Sequence, residues 1–166
     1  MGMSVIISPA TPDDAEQILK LQYLGYQQEA ELYSDWSLAP LTQTLESLRA
    51  ELAEQEFLVA RLGDEVVGTV RGRVDPDGVG RIGRLVVHPR MQRHGLGGRL
   101  LEAVEERLAE RQPVYGFELS TGHRSLGNLR LYARLGYRQT SVREVSGRLS
   151  LVTLAKTVAA PLAASA

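Results

Sequence analysis

Val5-Ile6-Ile7 is a short β-branched run ending at Ser8-Pro9, and it predicts a strand. Thr11-Pro12-Asp13-Asp14 then supplies a cap, a proline at the first helical position and early acids, the signals of a helix start. That helix carries Ile18, Leu19, Leu21 and Tyr23. A mixed aromatic and acidic stretch, Tyr26 to Trp36, leads through Ala39-Pro40 into a second helix, Thr42 to Ala53, with Leu45, Leu48 and Leu52 on one face. Phe57 to Leu62, Val66 to Val74 and Val79 to Val87 read as three successive antiparallel strands, because Gly63-Asp64 and Asp75-Pro76-Asp77-Gly78 between them are turn chemistry. From Gly98 to Arg111, Leu100, Leu101, Val104 and Leu108 recur at helical spacing with Glu102, Glu105 and Glu106 turned away, which predicts an amphipathic helix lying on a sheet. Val114 to Ser120 reads as a strand and Ser125 to Leu135 as a helix stopped by Gly136. Tyr137 to Val145 and Leu149 to Lys156 read as a closing hairpin around Ser146-Gly147.

This order has no internal repeat and no linker, so residues 1–156 are expected to form a single α/β domain with a mixed sheet, and the small, uncharged tail 157–166 is expected to fray. Composition narrows the chemistry. A chain of 166 residues can bury a sizeable core without staples, and with no cysteine there is neither a disulfide framework nor a thiolate nucleophile. Nineteen basic against 20 acidic residues, a net charge of −1, argue against a nucleic-acid partner, so any phosphate recognition must be local. The start lacks the basic and apolar regions of a signal peptide, and no run of about 18 apolar residues occurs. A soluble, unprocessed, cytoplasmic protein with no membrane partner is expected.

The segment RLVVHPRMQRHGLGGRLLEAVEERL sets a strand, a glycine-rich turn and a helix in immediate succession. Gly95, Gly97 and Gly98 allow tight backbone and close approach, while the unsatisfied N–H groups of the new helix supply donors for an anion. A dinucleotide fingerprint is excluded because position 100 is Leu100, and there is no Gly-Lys-Ser/Thr of a P-loop. His88 and His94 have no clear carboxylate set beside them, so no metal site is expected.

Gln92-x-x-Gly95-x-Gly97 after a strand resembles the Q/R-x-x-G-x-G/A signature of the GNAT acetyltransferases, and NLRLYARLGY downstream resembles their last-helix signature. The resemblance extends over about residues 5–156. It implies a mixed, mostly antiparallel sheet of about seven strands flanked by about four helices, and an enzyme moving an acetyl group from acetyl-CoA to a primary amine. It further implies direct attack without a metal, and a homodimer is common among such proteins. By the resemblance, Leu85, Val86 and Val87 form the pantetheine edge, and Gln92, Arg93, His94, Gly95, Leu96, Gly97, Gly98 and Arg99 the pyrophosphate cradle. Tyr132 matches the family tyrosine that protonates the departing thiolate. Asn128, or Ser125 at the position where the family more often has asparagine, is a candidate for the pantetheine amides. A catalytically silent acyl-CoA sensor is the alternative reading.

Many members of that family carry a glutamate on the strand before the loop as base, but this strand reads GRIGRLVV and offers Arg81 and Arg84 instead. Candidate substitutes are His123, Glu118 and Glu29. The acids between Tyr23 and Trp36 suit a cationic acceptor, whereas Arg81 or Arg84 would suit one bearing a carboxylate.

Overall fold

In the computed structural model, which describes residues 4–162, seven strands form one sheet. They are β1 (Val5–Pro9), β2 (Glu56–Leu62), β3 (Glu65–Val74), β4 (Val79–Val87), β5 (Val114–Gly122), β6 (Arg138–Glu144) and β7 (Ser150–Leu162), in the spatial order β1-β2-β3-β4-β5-β7-β6. Every neighbouring pair is antiparallel except β4 with β5, which is parallel. The helices are α1 (Ala15–Tyr33), α2 (Ala39–Thr42), α3 (Leu45–Glu54), α4 (Leu96–Arg111) and α5 (Leu126–Arg134).

The helices cover both faces of the sheet. On one face the α4 stripe of Leu100, Leu101, Val104 and Leu108 is buried against Leu58, Val70, Ile82 and Phe117, with Tyr132 of α5 in the same cluster. On the other, Ile18 and Leu21 of α1 and Leu48 of α3 pack with Phe57, Val59, Val66 and Val86. Gly25 sets how closely α1 lies on β4: a Cβ there would stand 2.5 Å from Val86 Cγ1. A glycine inside a helix costs about 1 kcal/mol relative to alanine, and here it brings the following turn of α1 down onto β4.

Element types match the sequence reading, and the differences lie at boundaries. α1 continues through the aromatic stretch to Tyr33 and ends on Ser34 in the left-handed conformation (φ 50°). The second helix is broken: Pro40 sits in its own single turn, and α3 starts after Thr44, whose hydroxyl accepts from Ser47 N–H at 3.1 Å. α4 begins at Leu96 rather than Gly98, because Gly95 takes the N-cap. β7 runs to Leu162, pairing Thr157 with Gly116 and Leu162 with Val114, so Thr157 to Leu162 belong to the sheet and not to a frayed tail; positions 163–166 lie outside the described residues. Among the described residues no helix is long and apolar enough to cross a membrane.

Candidate functional site

β4 and β5 pair only from Val79↔Gly116 to Arg81↔Glu118. Beyond that point β4 stays with β3 as far as Val87↔Gly68, and β5 stays with β7 as far as Gly122↔Leu151. The facing edges, Ile82 to Val87 and Leu119 to Gly122, therefore carry no pairing to each other. The parting begins beside a bulge that the sequence does not announce. Arg84 and Leu85 together oppose Val70, and Arg84 has φ 49°, a conformation costing on the order of 1–3 kcal/mol for a non-glycine residue. Because His88 N–H donates to Val67 O at 2.8 Å, strand alternation turns the amides of Val87 and Leu85 the other way, toward the opening.

The turn from β4 to α4 has the form of an anion cradle. Arg93 (φ 70°) and Gly95 (φ 76°) are both left-handed, which curls successive N–H groups inward. No side chain caps α4, so its first-turn N–H groups lack a capping acceptor. The cradle meets the other elements at Gly97, where a Cβ would stand 3.2 Å from Leu131 Cδ2 of α5 and 3.9 Å from both Leu85 Cδ2 and Val87 Cγ2 of β4. Gln92 braces this junction by donating from Nε2 to Val87 O at 3.3 Å. Arg93 and His94 are exposed on the turn, whereas Arg99 reaches away to Val5 O of β1 at 3.4 Å and does not join the cradle.

Tyr132 of α5 is 5% exposed. Among the described residues its hydroxyl has no hydrogen-bond partner, yet it is not a buried orphan, so it keeps some contact with solvent. Burial, then the nearby Tyr26 and Glu29, push its phenol above the ordinary range. Tyr26 of α1 is pushed up to about 12, by burial first and by Glu29, against the pull of Arg84 and Arg71. Tyr132, Tyr26 and Glu29 thus share one electrostatic neighbourhood. Asn128 donates to Thr121 Oγ1 at 3.1 Å, tying α5 to β5. Ser125 holds the N-cap position of α5 but its hydroxyl does not cap; it faces α1 instead.

That contact is part of a chain whose direction the chemistry dictates. Arg124 N–H donates to Tyr33 Oη at 2.9 Å, Tyr33 Oη lies 2.8 Å from Ser125 Oγ, and Ser125 Oγ donates to Glu29 Oε2 at 2.7 Å. A carboxylate only accepts, so each hydroxyl passes its proton toward Glu29. The sequence offered no sign that Tyr33 and Ser125, 92 positions apart, would orient Glu29.

The three candidate bases separate in this geometry. Glu118 is held by Arg81 at 2.8 Å, and Arg81 also binds Asp75 at 2.9 Å. His123 Nδ1 lies 3.0 Å from Ser150 N and 3.2 Å from Ser150 O, contacts that tie its loop to β7. Glu29 keeps Oε1 free of protein partners among the described residues, and its charge contributes to the upward shift of the Tyr132 phenol. Of the two arginines, Arg81 is paired as above, whereas Arg84 donates to the neutral Gln43 Oε1 at 2.5 Å and has no carboxylate within ion-pair distance among the described residues.

The model of the acetyltransferase (GNAT) family matches residues 16–137. Among solved structures, the chain is similar to an acetyltransferase of the GNAT family from Streptococcus pneumoniae, at 20% identity and TM-score 0.74, covering 93% of this chain and 99% of that one. It is similar to the ribosomal-protein-S18-alanine N-acetyltransferase of Escherichia coli, at 18% identity and TM-score 0.74, covering 98% and 97%. It is also similar to the PaiA N-acetyltransferase of Thermoplasma acidophilum in complex with coenzyme A, at 16% identity and TM-score 0.76, covering 94% and 100%. Among curated proteins none matches the chain.

Proposed function

The chain belongs to the acetyltransferase (GNAT) family, and from that membership we propose that it transfers an acetyl group from acetyl-CoA to a primary amine of a small molecule, peptide or protein, by direct attack in a ternary complex. The observation that carries this reading is the convergence of an uncapped, left-handed N–H cradle, two inward amides on β4 and a partnerless tyrosine hydroxyl around one opening.

The residues fit the cosubstrate. The cradle donates only N–H groups, which suit a pyrophosphate, and the Gly97 side opens onto Leu85, Val87 and Leu131, an apolar floor for a pantetheine arm. Acetyl-CoA, when bound, supplies the thioester whose carbonyl is attacked and whose sulfur departs. The amide of Val87 or Leu85 stabilises negative charge at the carbonyl oxygen. Tyr132 delivers its phenolic proton to the sulfur, since a phenol is protonated at neutral pH. Glu29 accepts a proton from the incoming ammonium at Oε1, its other oxygen being held by Ser125. The presence of a tyrosine at this point also favours an enzyme over a silent acyl-CoA sensor, which has no use for an acid there.

Calorimetric titration with acetyl-CoA, followed by a panel of α-amines, polyamines, aminoglycosides and lysine peptides with detection of free thiol, tests the reading. Binding with amine-dependent thiol release is expected. Binding with no release from any amine would favour the sensor, and absence of binding would overturn the proposal.

The base assignment makes a separate prediction. Glu29→Gln is expected to lower kcat/KM at pH 7 by about 10²–10³, the range for a lost general base, and the deficit should shrink as pH rises toward the acceptor amine's own pKa. A deficit constant with pH would mark a purely structural role.

A further inference from the structure

Helical spacing on α4 turns Glu105 away from the sheet, yet its side chain is only 12% exposed. Two side chains from the C-terminal part of the chain enclose it. Lys156 of β7 donates from Nζ to Glu105 Oε1 at 2.6 Å, and Tyr137 donates its hydroxyl to Glu105 Oε2 at 2.7 Å. The ammonium is held from further sides: it donates to Leu135 O at 3.2 Å, and it lies 5.2 Å from the Tyr137 ring centre and 5.9 Å from that of Phe117. Gly136 leaves room for the lysine stem, since a Cβ there would stand 3.2 Å from Lys156 Cδ. Taking two charges largely out of water is unfavourable, and an apolar pair of similar volume often serves stability as well or better. Stability alone therefore gives no reason for charge at this point.

What the pair holds is the end of α5. Leu135 is the residue that closes that helix, and a cation is favoured at a helix C-terminus. Tyr137 N–H donates to Tyr132 O at 3.0 Å, and the two rings pack with centroids 6.1 Å apart. Tyr137 thus meets Tyr132 by main chain and by ring, and Glu105 fixes Tyr137 at its hydroxyl. Burial, then the bond to Glu105, push the Tyr137 phenol up, so its hydroxyl stays the donor in that bond. The other end of α5 is tied separately, through Asn128 to Thr121. Glu105 itself belongs to α4, whose first turn forms the N–H cradle. One carboxylate therefore links the cradle's helix to the helix that carries Tyr132.

We propose that Glu105 and Lys156 are positioning residues: by joining α4 to the end of α5, they set the depth at which the Tyr132 hydroxyl meets the cofactor sulfur. The kinetic part rests on the acetyl transfer proposed above; the placement of the Tyr132 ring does not. Both residues act through Tyr137 and the end of α5. A misplacement of about 1 Å at a reacting group can cost about 10²-fold in rate, so a small relaxation of α5 is enough to be read in kcat.

The test replaces the pair together, Glu105→Gln with Lys156→Met, which leaves no lone buried charge and keeps an acceptor for Tyr137. A fall in kcat of about tenfold is expected, with acetyl-CoA affinity by calorimetry unchanged. In the Tyr132→Phe background the same two changes should lower kcat by less than about twofold, because the group they position is gone. A merely structural role would lower kcat equally in both backgrounds; that result, or wild-type kcat in the folded paired variant, would overturn the proposal. Glu105→Gln alone keeps an acceptor for both donors and should show the same pattern at about threefold, which decides the matter if the paired variant does not fold. Independently of turnover, carbon-13 tyrosine NMR follows the ring signals of the six tyrosines, the one lost in Tyr132→Phe being that of Tyr132. That signal should move in the folded Glu105→Gln and paired variants, and an unmoved signal would overturn the positioning whatever the kinetics give. Absence of turnover with every amine in the wild type would instead refute the proposed acetyl transfer, while the ring signal still decides the placement of Tyr132.

Discussion

Tyr132→Phe is expected to lower kcat for acetyl transfer by about 10²–10⁴, the usual contribution of a positioned general acid, while leaving acetyl-CoA affinity within a few-fold of wild type. The separation follows from where the hydroxyl sits. Its ring packs in the core beside Tyr137, with ring centroids 6.1 Å apart, and phenylalanine preserves that packing. The hydroxyl makes no hydrogen bond to the described residues, so its removal leaves no buried group unpaired. Only the proton at the departing sulfur is lost. The alkaline limb of the wild-type rate should also lie above the ordinary phenol range, since burial disfavours the charged phenolate and Tyr26 and Glu29 reinforce it. Steady-state kinetics with calorimetry on the same preparation checks both; wild-type kcat in the folded variant would remove Tyr132 from the mechanism.

Gly97→Glu should abolish acetyl-CoA binding, a loss of at least about 10²-fold, or about 2.7 kcal/mol. A side chain at this position leaves the first turn of α4 toward Leu131, Leu85 and Val87, so the new carboxylate would enter the apolar floor and oppose the anion at the cradle. Gly97→Ala is the companion. Its Cβ would stand 3.2 Å from a leucine methyl, which can yield by a few tenths of an ångström, so affinity should fall only a few-fold. Circular dichroism verifies folding, and retained affinity in a folded Gly97→Glu protein would overturn the cradle.

The local signals in the chain account for much of the architecture. Glycines at Gly63, Gly78, Gly95 and Gly136 all take positive φ, where the turn and cap chemistry asks for them. The apolar stripe of α4 is buried as its period requires. The cradle is legible for the same reason: strand, turn and helix are contiguous, so a motif of a few residues contains its whole geometry. Boundaries were less legible where tertiary contact overrides propensity. β7 continues past Lys156 because β5 offers it an edge, which nothing in TVAAPLA announces.

The sequence by itself determined the elements, the glycine-rich strand-to-helix turn and the presence of a tyrosine on the last helix, because each rests on neighbours within one or two turns of chain. Which carboxylate stands beside that tyrosine was a tertiary matter. The fold gives His123, Glu118 and Glu29 different partners: Ser150 ties the first, Arg81 pairs with the second, and the Ser125 hydroxyl donates to the third. The bulge at Arg84 and the parting of β4 from β5 belong to the same class, for they arise from how many residues oppose one another across strands. Contacts between residues dozens of positions apart leave no periodicity in the chain, and only the folded sheet brings them into one opening.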